Sequence, residues 1–236
     1  MRRATVVTLM LAVRPLVGYV ALLSFVACAT RGTPDSPVLI ASEHPSLVLN
    51  LHFTSSDSLS IASRRALMAE AESIWKAGHV RLKWLRESTE AGDGVTLRVL
   101  VVARPVPKAS EYAPWTVAEL LRLGGTQATA IASTFSARRI VEEGRRELLQ
   151  EPAGLEDYRL GLVLGRAVSH EIGHYLLQTN THATRGLMRA VIDAREFADL
   201  RSGNFHLDRA AEAHLALLAA KGTLSPETMS GFSYTH

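Results

Sequence analysis

The stretch HEIGHYLLQTNTHATRGLM, residues 170–188, decides how the chain is read. Side chains four apart on a helix project from one face, so His170 and His174 can present two imidazoles to a single ion at about 2.0 to 2.1 Å. Glu171 lies about a third of a turn round, close to such an ion but not on it. From there its carboxylate can take a proton from a water molecule held by the metal. Two imidazoles leave a tetrahedral site incomplete, so the third ligand determines what kind of centre this is.

The pair sits in the longest helix the pattern predicts, Leu155 to Gln178, whose apolar residues run almost continuously round several faces. That distribution implies burial between a sheet and a second lobe. Gly161, Gly165 and Gly173 each cost about 1 kcal/mol in a helix relative to alanine, which is reasonable only where the helix lies very close to neighbouring backbone. Upstream, residues 46–53 alternate apolar and polar and read as a strand, and a helix follows over 61–78, capped by Ser58 or Ser60 and ended by Gly78. Residues 79–85 and 94–105 read as two more strands, the second closed by Pro105.

Residues Thr126 to Phe135 make a half-polar strand with Thr129, Ile131, Ser133 and Phe135 on one face, as expected at a sheet edge. The segment 137–150 fits neither strand nor helix throughout. A last amphipathic helix spans 206–222. The predicted class is α+β, with a mixed twisted sheet, helices packed on it, the HExxH helix and a small C-terminal helical lobe.

The motif and this order of elements resemble the metzincin zinc metallopeptidases, particularly matrixin-like members, whose signature runs HExxHxxGxxH and is followed by a methionine turn. Leu177 and Asn180 stand where that pattern has its glycine and third histidine. The reconciliation is a longer turn: the helix continues to about Gln178, Asn180 adopts the left-handed conformation, and His182 returns as the third ligand with Met188 as the Met-turn residue. The resemblance implies Zn2+ on His170, His174 and His182, with Glu171 as the general base of peptide hydrolysis. It also implies an extended peptide or protein substrate paired with the edge strand, here the one bearing Ile131 and Ser133. A thermolysin-like alternative takes Glu196, 22 residues beyond His174, as third ligand, but leaves His182 and the GLM turn unexplained. His206 and His214 lack any spacing that ties them to the pair and read as surface residues.

The 236-residue chain, 47% hydrophobic, is long enough for one domain with a substantial core. Residues 1–27 read as a signal peptide: Arg2, Arg3 and Arg14 precede an apolar run that ends in small residues. Cys28, the single cysteine, follows that run as in a lipobox, which predicts lipidation, a membrane anchor and an exported, envelope-attached protein. Cleavage after Ala29 and a retained signal anchor are the alternatives. Residues 28–37 then form a tether, and 38–236 the catalytic domain. The leader carries three of the 26 basic side chains and none of the 23 acidic ones, so the remainder is formally neutral. No basic patch interleaved with aromatics occurs, which argues against nucleic acid as a partner. The reading from a different functional class is a catalytically inactive metzincin-like lipoprotein that acts as a binding or envelope scaffold.

Overall fold

The computed structural model describes residues 47–56, 58–85, 95–106, 116–122, 127–147 and 154–221. The leader, the tether and Cys28 lie outside these residues. Among the described residues no helix is long and apolar enough to cross a membrane.

Among the described residues five strands and five helices follow in order: β1 (Leu47–Ser55), α1 (Ile61–Ala77), β2 (Val80–Leu85), β3 (Val95–Val102), β4 (Ala118–Arg122), β5 (Ala128–Ser133), α2 (Thr134–Glu147), α3 (Glu156–Leu176), α4 (Ala194–Ala198) and α5 (Arg209–Lys221). The class is α+β. The sheet order is β2-β1-β3-β5-β4, with β4 antiparallel to β5 and all other neighbours parallel. Leu49, Leu51, Leu97, Val99, Val101, Ala130 and Ala132 fill one face of the sheet and are fully buried. The two long helices lie together, α1 against β2 and α3 under β4 and β5.

Two expectations change here. The strand carrying Ile131 and Ser133 is not an edge: β5 is paired on both sides, by β3 and β4. Its alanines at 128, 130 and 132 are small because helix α3 packs against them, not because they face solvent. The edge is β4, whose Ala-Glu-Leu-Leu-Arg sequence has no β-branched residue to announce a strand. The unassigned segment after β5 lies in a helix over Thr134–Glu147, and the Ser133 hydroxyl starts it by accepting from the Ser136 amide (3.1 Å).

Helix α1 begins where Ser60 accepts a hydrogen bond from the Ser63 amide (3.0 Å). Ser63 in turn donates to the Asp157 carbonyl at the start of α3 (2.8 Å), which sets the two helices in register. Along that seam the glycines of α3 have no room for a side chain. A Cβ on Gly161 would collide with the Ser63 carbonyl oxygen, and one on Gly165 would lie 2.7 Å from the Leu67 carbonyl oxygen and 2.9 Å from the Glu70 Cβ. Backbone cannot step aside as a flexible side chain can. At the far end of α1, Gly78 has an ordinary φ and His79 takes the positive one, φ 58°. Gly78 is small because a Cβ there would lie 2.8 Å from Leu207.

Gly161→Ala and Gly165→Ala are each expected to lower unfolding free energy by about 1 to 3 kcal/mol, the usual cost of overpacking, despite alanine's higher helix propensity. Urea denaturation measures this; unchanged or increased stability would mean that α1 and α3 are not in backbone contact.

Candidate metal centre

Helix α3 is buried along nearly its whole length and carries His170, Glu171 and His174 in its last two turns. The two histidines are fixed from behind. His170 Nδ1 lies 2.8 Å from the Leu187 carbonyl oxygen, and His174 Nδ1 lies 2.7 Å from that of Thr179. A carbonyl oxygen only accepts, so both rings must carry their proton on Nδ1. Both Nε2 atoms are then bare lone pairs, yet they face each other at 2.9 Å. No hydrogen remains to join them.

Protonating a ring is no easy escape. Burial pushes the His170 pKa down to about 4, outweighing the Leu187 hydrogen bond, and the neighbouring His174 and His182 act in the same direction as burial. Burial likewise lowers the pKa of His174. Two opposed lone pairs in a partly desolvated place are the arrangement a metal cation relieves, and the Nδ1 contacts are the orienting bonds that metal-binding histidines make.

His182 joins this pair. Its ring stacks on that of His170 with centroids 5.3 Å apart and stands edge-on to His174 at 4.9 Å. Each of the three residues offers a ligand atom within 4.8 Å of the others. A donor set of three imidazoles suits zinc. Glu196 is not part of it: its carboxylate is held by Arg189 (2.9 Å) and Asn204 (3.0 Å), and the Arg189 hydrogen bond keeps its pKa below the usual carboxylate value. His206 and His214 are exposed and stand outside the cluster.

The turn between His174 and His182 differs in detail from the expectation. The helix ends at Leu176, Leu177 keeps a right-handed conformation, and Gln178, not Asn180, adopts the positive φ (50°). Asn180 is exposed at the rim of the cleft.

Met188 lies directly beneath the helix. A Cβ on Gly173 would strike its Sδ, so the glycine inside the motif is the space the methionine occupies. The Met188 carbonyl accepts from the Ala183 amide (2.8 Å), and the adjoining Leu187 carbonyl is the one that orients His170. Gly186 permits this turn with φ 77°.

Glu171 is buried, 7% exposed. Burial pushes its carboxyl up to about 7, against the hydrogen bond from the Leu120 amide of β4, while the Glu119 carboxylate adds to the rise. The three histidines and Glu171 open into a cavity of about 370 Å3 whose walls include Glu119 and Leu120 of β4, Ile140 of α2 and Ile192 beyond the Met turn. Sequence reasoning missed β4 and hence the Leu120 amide; five residues with no alternating pattern left no signal to find. Ile131 and Ser133 are not among the lining residues, and the Ser133 hydroxyl donates to the Arg104 carbonyl (2.8 Å).

The contact beneath the helix makes Gly173→Ala destabilising by about 1 to 3 kcal/mol and Met188→Ala by about 2 to 5 kcal/mol. In the double variant the methyl group occupies space that the thioether vacates, so the combined loss should be clearly smaller than the sum. Chemical denaturation of the four proteins tests this, and strict additivity would refute the packing.

The sequence matches no family model and no curated protein. Among solved structures it is similar to the crystal structure of archaemetzincin from Methanopyrus kandleri, at 11% identity and a TM-score of 0.43, over 78% of this chain and 99% of that one. So distant a likeness leaves the chemistry to be decided by the side chains of the centre itself.

Proposed function

We propose that this protein is an exported zinc-dependent endopeptidase. The observation that carries the proposal is the pair of anchored imidazole lone pairs 2.9 Å apart, with a third imidazole beside them and a buried carboxylate one residue along the helix. His170, His174 and His182 would hold the ion. Zinc in such a three-histidine site acts as a Lewis acid toward a carbonyl and lowers the pKa of water to about 7.

The chain's own groups supply the proton handling. Glu171 takes the proton released as the water oxygen attacks the scissile carbonyl carbon. It gives that proton to the amine nitrogen as the C–N bond breaks, and so ends the cycle as it began. The Leu120 amide, which hydrogen-bonds the carboxylate, would help to orient it. Because that amide belongs to edge strand β4, an extended substrate laid along the strand would pass beside the base.

Zinc content and activity test the reading together. The parent should bind one zinc per chain and cleave a mixed peptide library in a chelator-sensitive manner. His182→Ala should bind zinc far more weakly, while Glu196→Ala should keep it. Glu171→Gln should retain zinc but lose about 10²- to 10⁴-fold in turnover. Cleavage that survives Glu171→Gln would remove that residue from the mechanism, and a parent that binds zinc but hydrolyses nothing would favour a scaffold role.

Export and anchoring belong to the same proposal and rest on residues 1–28. Metabolic labelling with a radioactive fatty acid should mark the protein, and Cys28→Ser should abolish the label. An unlabelled parent recovered in soluble form would mean cleavage at another site.

A further inference from the structure

The three imidazoles of the centre are not held alike. His170 and His174 are each fixed through Nδ1 by a backbone carbonyl. His182 is exposed, and among the described residues its ring has no hydrogen bond. Its position is therefore set by the backbone that delivers it.

That backbone is anchored at its far end by the Ala183 amide, which donates to the Met188 carbonyl (2.8 Å). At its near end it leaves the helix through Gln178, whose φ of 50° lies in the region that favours glycine. Something other than intrinsic preference must hold a glutamine there. Arg122, the last residue of β4, reaches across to do so. Its Nη1 donates to Gln178 Oε1 (3.1 Å) and its Nη2 to the His174 carbonyl (3.2 Å). The Gln178 amide then donates back to the Tyr175 carbonyl (2.5 Å). One planar guanidinium thus bridges the last turn of α3 and the first left-handed residue after it, fixing the angle between them.

We propose that Arg122 is a positioning residue that clamps Gln178 in the left-handed conformation and thereby sets the third metal ligand, His182. The inference rests on the metal reading above. Arg122 also adds a positive charge at the C-terminus of α3, which favours the helix whether or not a metal binds. The test must therefore separate ligand placement from general stability.

The full chain is stripped of metal, and its zinc affinity is measured by competition with a chromophoric chelator for the parent, R122A, R122K and Q178G. The melting temperature of each apo-protein and the visible spectrum of each cobalt(II) form are recorded beside it. Loss of an orienting partner typically weakens metal binding about 10- to 100-fold, and that is the loss expected for R122A, with a smaller loss for R122K. Q178G is the decisive variant. Glycine is at ease at that φ, so the apo-protein should melt at or above the parent's temperature, yet zinc should bind more weakly and the cobalt spectrum should change. If R122A folds poorly, Q178G still answers the question with Arg122 in place. Zinc affinities of R122A and Q178G within about twofold of a zinc-binding parent, a difference too small for a lost orienting contact, would overturn the clamp. A parent that binds no zinc would remove the metal reading itself, and this inference with it.

Discussion

The structure depends on how closely helix α3 is allowed to approach its neighbours. At Gly161 and Gly165 it lies against the backbone of α1, and at Gly173 it lies against the thioether of Met188. These contacts fix the helix along its length, and the histidines at its end inherit that rigidity. A metal site needs its ligands held to within a fraction of an ångström, so a helix locked by its neighbours is a better platform than a loop. The glycines cost helix propensity, and the close packing they permit offsets it.

Arg166 extends the same helix toward the C-terminal segment. Its side chain is 1% exposed and pairs with Glu70 of α1 at 2.8 Å. It also donates to the Phe197 carbonyl at 2.8 Å and lies 4.1 Å from the centre of the Phe205 ring. One buried guanidinium therefore ties α1, α3, the end of α4 and the segment before α5 together. Its charge is expensive to bury, but Glu70, the carbonyls and the ring together replace the water it has lost. That tie bears on the candidate metal centre, because the Leu187 carbonyl beside His170 belongs to a segment whose own amide is held by the His206 carbonyl (2.8 Å), next to Phe205.

The parts of this arrangement visible in the sequence are those governed by local pattern. Apolar periodicity located α3 and α1 to within two residues, and the i, i+4 spacing placed His170 and His174 on one face. The misreadings have long-range causes. The half-polar pattern of β5 suggested a sheet edge because the strand that pairs with its outer side, β4, and the helix that packs against it are joined to it by contacts no local pattern shows. Asn180 has the better intrinsic preference for a left-handed turn, yet Gln178 adopts it, held by an arginine 56 residues earlier. Gly78 and His79 repeat the lesson in miniature. The glycine serves space, and its neighbour bears the unusual φ.

Strand β4 carries little sequence signal yet several connections to the centre. Its Leu120 amide hydrogen-bonds the Glu171 carboxylate, its Glu119 helps to raise that group's pKa, and its Arg122 donates to Gln178 and to the His174 carbonyl. Among the described residues it is also the outermost strand of the sheet on the side of the cleft. An edge strand is where a peptide in extended conformation can add itself by main-chain hydrogen bonds. A ligand bound there would stiffen the strand that contacts both Glu171 and Gln178, the residue that opens the turn toward His182. If the protein is the peptidase proposed above, Glu171 and the turn that delivers His182 would be ordered by the same contact that holds the substrate, which would make hydrolysis depend on occupancy of the cleft.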